Sequence, residues 1–317
     1  MISRRQLRIK ALQSLYAYYQ TGREDMNRSE KELHFNIGKA YELYYYLLLL
    51  IIDVILSAES RIELARNKRI PTHEDLHPNT RFIHNRLVEQ LRNNEQLLRF
   101  VDRNKLNWSD YPELIREIYT RVAESDFYAA YMSAPESGYA EDKRMIIHVY
   151  THMIFPSELL SSILEEQSIY WNDDLEFITS MIVKTIKKFK EEDGTAKSLM
   201  DLYKNEEDRE YVVRLFRQTI LHRDEYLEYI KQNTRNWDLE RIAFMDILIM
   251  QMAIAELIAF PSIPTKVTLN EYLEISKFYS TSKSNVFING VLDKVVMQLK
   301  EEKKVQKIGR GLIGENE

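Results

Sequence analysis

Ile263–Val296 reads IPTKVTLNEYLEISKFYSTSKSNVFINGVLDKVV, and its periodicity decides the fold. An extended Ile-Pro-Thr-Lys link enters a short helix, a Ser/Thr-rich turn follows, and a second amphipathic helix closes the segment. In that last helix Ile288, Val291, Leu292, Val295, Val296 and Leu299 recur at three- and four-residue spacing, which gathers them on one face. Asp293, Lys294 and Gln298 fall outside the stripe. Such a helix needs an apolar partner, and the partner lies just upstream. From Ile242 to Phe260 only Asp246, Gln251 and Glu256 interrupt an apolar run. Three polar groups, two of them acids, and the lack of basic anchors at its C-terminal end argue against a membrane span. A helix that is apolar on nearly every side is the central element of a bundle.

The chain has 317 residues, enough to bury a large core, with only 8 Gly and 7 Pro. That is too little punctuation for an all-β protein, so an all-α fold is expected. There are no cysteines, which removes disulfides, thiolate nucleophiles and Cys-ligated zinc and suits a reducing cytosol. Gln6, Arg8 and Lys10 interrupt any apolar secretory core at the N-terminus. Net charge is −5, yet Arg4, Arg5, Arg8, Lys10 and Arg23 occur among the first 23 residues without a single acid.

Ser3–Gln20 reads as the first helix. Cations at its start oppose the helix dipole, which costs roughly 0.3–1 kcal/mol each when exposed. They serve an anionic partner or form a solvated basic end. A long helix is expected over 29–68. Its apolar run from Leu43 to Ile52 is about half of the roughly 20 residues a bilayer span requires, so it reads as a buried core helix. His73-Glu74-Asp75-Leu76-His77 fits the H-E-x-x-H spacing of zinc peptidases. That chemistry needs two histidines one turn apart on a stable helix, with a third ligand. Pro71 and Pro78 bracket this segment and no third ligand suggests itself, so no metal is expected. His148 and His152 read as packing residues. Further helices are expected over 80–104, 110–133, 141–154, 157–167 and 173–190. Glu191–Lys197 reads as a polar linker, 207–232 as one helix, and Asp238 as the N-cap of the next.

Both ends resemble one family. Arg4-Arg5-x-x-Arg8-x-x-Ala11-Leu12-Gln13-Ser14-Leu15-Tyr16 is similar to the opening helix of NusB-type antitermination factors. Trp237-x-Leu239-Glu240-Arg241 through Ala253-x-x-Glu256-Leu257 resembles their central helix. The closing signature follows as Ile263-Pro264-x-Lys266-Val267, Asn270-Glu271, Glu274, Lys277 and Phe287-x-Asn289-Gly290-Val291-Leu292-Asp293-Lys294. The resemblance covers about residues 1–24 and 200–300. It implies a NusB-like pair of helical bundles, with 1–24 as first helix, 25–195 as a helical insertion of unassigned role, 196–305 as the remaining core and 306–317 as a polar tail.

By that resemblance the chain is a non-enzymatic, cytoplasmic RNA-binding protein without a cofactor. It would bind boxA-like elements of nascent rRNA together with NusE, a small-subunit ribosomal protein, and help RNA polymerase with other Nus factors to read through terminators. Arg4, Arg5 and Arg8 would lie on RNA phosphates, Tyr16 and Phe287 near bases, Lys294 on a further phosphate, and Asp246 on the NusE-facing surface. Cationic contacts with aromatic stacking are how single strands are held. Where the family often has Arg, this chain has Ile247 and Gln251. Where the family often has Glu-Asp before the Ser of the closing motif, it has Ser282-Lys283-Ser284, and Lys283 favours phosphate. Asn289 and Gly290 read as structural, the glycine admitting a close helix approach. Two alternatives stand beside this: an interaction scaffold dominated by 25–195 with weak RNA affinity, and an RNA-modifying enzyme, which the absence of a glycine-rich cofactor loop disfavours.

Overall fold

A computed structural model describes residues 1–22, 25–135, 138–234 and 242–314. Every regular element among them is helical. The chain forms two compact units, one of residues 1–37 with 203–317 and one of residues 38–202. The expected N-cap at Asp238 and the Trp237–Arg241 part of the resemblance lie outside the described residues.

Helix α1 spans Arg4–Gln20, with the Ser3 hydroxyl accepting from the Gln6 amide. Helix α2 runs from Met26 to Arg66. The unit boundary at Ile37/Gly38 therefore falls inside a helix, where no loop composition marks it.

Within 38–202, α2 is followed by α3 (His73–Leu76), α4 (Arg86–Arg92), α5 (Glu95–Asn104), α6 (Pro112–Ala123), α7 (Asp126–Ser133), α8 (Tyr139–Val149), α9 (Glu158–Gln167) and α10 (Leu175–Lys188). The helix expected over 80–104 breaks at Asn94, whose side chain accepts from the Leu97 amide and starts α5. The one expected over 110–133 breaks at Ser125, which accepts from the Tyr128 amide. Side-chain oxygens that capture a backbone N–H in this way outcompete helix continuation. Helix α8 passes into a π-helical turn, Tyr150–Ile154. The HEDLH segment forms a single turn, α3, with a Thr72/Asp75 capping box.

Glu191–Lys197 is not a free linker. It forms a 3-10 turn over Glu191–Ala196, fastened by Gln90 to the Lys190 carbonyl at 3.1 Å, by Asn94 to the Lys197 carbonyl at 2.7 Å, and by Arg86 to Glu191 at 2.9 Å. The interior of this unit is aromatic. Tyr46 stacks on Trp108 with ring centroids 3.7 Å apart. The Tyr150 hydroxyl donates to the Leu47 carbonyl at 2.9 Å, the Trp108 indole to the Tyr46 carbonyl at 2.9 Å, and Tyr44 meets Thr185 at 2.7 Å.

In the other unit, α11 (Glu206–Leu221) and α12 (Arg223–Asn233) replace the single helix expected over 207–232, because His222 leaves helical geometry. They are followed by α13 (Phe244–Ala259), α14 (Thr265–Tyr279) and α15 (Ser282–Glu301). Helix α13 is central: it packs against α1, α11, α12, α14 and α15, and every side chain from Leu248 to Leu257 is buried. All six apolar residues of the α15 stripe are buried too, so the closing helix docks on α13 as its periodicity requires. Beyond α15 the chain turns back at Lys303 (φ +57°). The Ile308 amide then donates to the Pro261 carbonyl at 3.0 Å, and Lys307 Nζ to the Leu257 carbonyl at 3.0 Å, so the tail satisfies carbonyls at the end of α13. Gly311 is obligatory there, since a Cβ would sit 2.0 Å from the Pro261 carbonyl oxygen. No helix among the described residues is long and apolar enough to cross a membrane.

Candidate nucleic-acid interface

The arginines of α1 have the most distinctive surroundings in the unit of residues 1–37 and 203–317. Leu7, Ala11, Leu12 and Leu15 face the core, and Arg8, one position on from Leu7, is drawn in with them. Arg8 is 2 % exposed. Its Nε and Nη2 donate to the two carboxylate oxygens of Glu256, both at 2.7 Å, and Nη1 reaches Glu271 at 3.4 Å. Glu256 also accepts from the hydroxyls of Tyr211, Tyr272 and Thr268, the last at 2.9 Å. The rings of Tyr211 and Tyr272 flank the guanidinium at 5.6 and 5.9 Å. A buried charge persists only when paired and fully hydrogen-bonded, and this pair meets both conditions. Burial followed by the neighbouring Glu256 charge holds both tyrosines well above their ordinary range. For Arg8 burial works against the charge, but Tyr211 and Glu256 outweigh it and its pKa is raised.

This corrects the expected role of Arg8: its guanidinium is enclosed in the core and faces no surface on which a phosphate could lie. Arg4 donates to Glu207 at 2.6 Å and Asp208 at 2.8 Å, with its side chain 31 % exposed. Arg5 forms a two-bond pair with Glu271 at 2.9 and 2.8 Å and is 49 % exposed. The Arg5 hydrogen bonds hold the Glu271 carboxyl below its ordinary range. Acids of α11 and α14 thus neutralise the start of α1 from within the unit, an outcome that neither reading of the cationic start anticipated.

Asp246 requires a second correction. It sits in the first turn of α13, is 3 % exposed, and accepts a hydrogen bond from the Ser280 hydroxyl. An acid at a helix N-terminus that is closed over by the next hairpin stabilises the helix and does not present a partner-facing surface.

Tyr16, Phe287 and Lys294 remain at the surface. Tyr16 is 39 % exposed and lies 5.8 Å from Phe244 between ring centroids. Tyr19 joins them 5.9 Å from Phe244, and the Arg223 guanidinium lies 4.7 Å over the Tyr19 ring. Phe244 and Arg223 escape a sequence reading because each looks like an ordinary helix-end residue; only the fold, which sets the starts of α13 and α12 beside the rings of α1, brings them together. On α15, Phe287 is partly exposed and Lys283 and Lys294 are exposed. Gln251 is buried and donates to the Arg223 carbonyl at 3.1 Å. Gly290 does not admit a close helix, since nothing lies within 4 Å of a Cβ built there. Among the described residues no group of three or more His, Asp or Glu side chains could hold a metal ion.

This unit is helical and organised on one apolar helix, with aromatic and cationic side chains at its surface. The comparisons give it a family. The NusB family matches residues 172–297, which takes in the last turns of the 38–202 unit as well as most of the other. The chain is 35 % identical to the transcription antitermination protein NusB of Salinibacter ruber over 139 residues, 42 % of this chain and 87 % of that protein. The NusB protein of Chloroherpeton thalassium is 33 % identical over 123 residues, covering 38 % of this chain and 58 % of the relative. That of Natranaerobius thermophilus is 43 % identical over 72 residues, covering 23 % and 52 %. No solved structure matches the chain. The chain belongs to the NusB family, and is longer than the stretch its relatives share with it.

Proposed function

We propose that the chain is an RNA-binding transcription antitermination factor that acts with NusE on boxA-like elements of nascent rRNA and supports read-through by RNA polymerase with other Nus factors. The observation that carries this reading is the similarity to 87 % of a relative named for transcription antitermination. This reading takes as RNA contacts the exposed Tyr16 on α1 and the α15 residues Phe287 and Lys294. Arg4 and Arg5, at the start of α1, are paired with carboxylates that a phosphate would have to displace. Exposed aromatic rings suit base stacking, worth roughly 1–3 kcal/mol per base. NusE, by this reading, contacts groups other than the buried Asp246.

The test is binding of a boxA-like single strand against a scrambled strand at moderate salt, with and without NusE. A preference for the boxA-like strand that NusE strengthens is expected, with Tyr16→Ala and Phe287→Ala each weakening it. Equal binding of the two strands in the presence of NusE would sink the reading. A scaffold role for 38–202 is a second reading, favoured by the separate aromatic core of that unit. It predicts that substitutions on the surface of 38–202 leave RNA binding intact and abolish assembly with the transcription machinery.

A further inference from the structure

Asp53 differs from the other acids that the fold draws in from solvent. Among the described residues every other Asp or Glu that is not exposed has a hydrogen bond or an ion pair, and Asp53 has neither. It is half-buried on α2. A carboxylate taken from water without a compensating donor is unfavourable, and nothing within the fold offsets this one.

The place of Asp53 on α2 shows what can reach it. At 100° per residue the contacts of α2 can be set around its axis. Tyr45 stacks on Phe100 of α5 at 3.9 Å, and Glu59 pairs with Arg92 of α4 at 3.0 Å, so α4 and α5 take one side. Tyr46 lies on Trp108, and the Arg61 guanidinium lies 4.7 Å over the Tyr119 ring of α6. The chain from Trp108 through α6 therefore takes another side. Tyr44 turns the opposite way, to Thr185 of α10. Between the first two sides runs a strip roughly 60° wide that holds Leu49, Asp53, Leu56 and Ser60. The first three are partly exposed and Ser60 is exposed, whereas Tyr45, Tyr46 and Ile52 beside the strip are buried.

The strip thus presents one carboxylate between two leucines that lie roughly 10 Å apart along the axis. The cations of the flanking contacts are engaged, Arg92 by Glu59 and Arg61 by the Tyr119 ring. Burial raises the Tyr46 hydroxyl to about 12 and the charges of Asp110 and Asp53 add to it, so a second, exposed acid lies near the same strip. The sign of these charges disfavours a nucleic acid. A metal ion needs more donors, and no group of three or more among the described residues could hold one. What fits is a helix with apolar side chains at i and i+7 and a cation between them, the complement of Leu49, Asp53 and Leu56.

We infer that the Leu49–Asp53–Leu56 strip is a docking site for an amphipathic helix of a partner protein, which seats a lysine or arginine on Asp53 and an apolar side chain over each leucine. Burial alone pushes the Asp53 carboxyl up to about 6, so the free chain carries a desolvation that the partner's cation offsets. This site is separate from RNA binding and needs no boxA-like strand.

The test titrates the full chain into a fluorescent helical peptide of about 18 residues with Leu, Arg and Leu at i, i+4 and i+7 on an alanine-glutamine background. A counterpart peptide has Gln in place of Arg. Anisotropy is expected to show the Arg peptide bound roughly tenfold or more tightly than the Gln peptide. Asp53→Asn is expected to lose that preference while its melting temperature stays unchanged or rises, because the fold does not pair the charge. Asp110→Asn leaves the strip intact and is expected to keep the preference. An Arg peptide that binds no more tightly than the Gln peptide, or that binds Asp53→Asn as tightly as the parent, would overturn the inference. So would a loss of preference in Asp110→Asn as full as in Asp53→Asn, by showing that general acidity attracts the peptide. A lowered melting temperature for Asp53→Asn would overturn it as well, by showing that the carboxylate serves the fold.

Discussion

At the centre of residues 1–37 and 203–317 lies an ion pair, Arg8 with Glu256, whereas the interior of residues 38–202 is closed by tyrosine and tryptophan donors on backbone carbonyls. The two solutions differ in what they tolerate. A buried ion pair is secure only while every partner is present, because either charge left alone carries its full desolvation penalty. A tyrosine hydroxyl is neutral, and the helix carbonyl it meets keeps its own intrahelical bond if the hydroxyl is lost. The centre of the first unit is therefore held by a few polar residues acting together, and the part of the second around Tyr46, Trp108 and Tyr150 by neutral donors that can be lost singly. In the second unit the one charged group on the apolar part of α2, Asp53, has no hydrogen-bond or ion-pair partner among the described residues, and burial pushes its carboxyl from 3.8 up to about 6.

The contrast can be broken at its strongest point first. Arg8→Met is expected to destabilise residues 1–37 and 203–317 by about 3–5 kcal/mol, and Arg8→Met combined with Glu256→Leu by less than Arg8→Met alone. Chemical unfolding of these variants and of Glu256→Leu alone measures this; a double-variant loss equal to the sum of the two single losses would mean that the pair is not coupled. Asp53→Asn sharpens the contrast through pH. Because the folded carboxyl binds its proton more tightly, stability in 38–202 declines as pH rises from 3.8 to about 6 and stays low above that. The variant should lose this decline and protect 38–202 better at pH 7, as read by hydrogen exchange of its peptides. Glu271 has the opposite sign. Its depressed carboxyl contributes stability that is full above 4.5 and is lost as pH falls through the folded value. Acid should thus weaken the first unit in a range where Asp53 no longer penalises the second. Tyr150→Phe should cost about 0.5–1.5 kcal/mol, since only a hydroxyl is removed; a loss near that of Arg8→Met would erase the distinction. Smallest of all, Arg5→Gln removes a half-exposed pair and should change stability by no more than about 1 kcal/mol.

Much of the architecture was legible along the chain because helices write their partners at three- and four-residue spacing. The α15 stripe and the apolar run of α13 announced one another. The same spacing does not say whether a charge beside a stripe turns inward. Arg8 and Arg5 are both arginines near the start of α1, yet one is buried and one half-exposed, and the difference lies in acids more than 240 positions away. Glu256 was the available signal, since a carboxylate deep in an apolar helix requires a cation, but nothing local says which. Asp246 illustrates the converse: its burial is imposed by Ser280 at the far end of α14. In 38–202 the helix breaks at Asn94 and Ser125 were written in residues that cap as readily as they continue. The turn at Glu191–Ala196 looked like a linker because its anchors, Gln90 and Asn94, belong to helices a hundred residues earlier.

The partners Arg8 and Glu256 stand 248 positions apart, and that separation has a meaning in time. A ribosome adds roughly 5–20 residues per second, so about 12–50 seconds pass between making the arginine and making the carboxylate that receives it. Throughout that interval α1 has left the ribosome with its apolar face unfilled and its cations unanswered, while all of 38–202 is made and can fold. The nascent first helix is therefore the stretch of this chain most open to capture by chaperones or by the acidic surfaces around it.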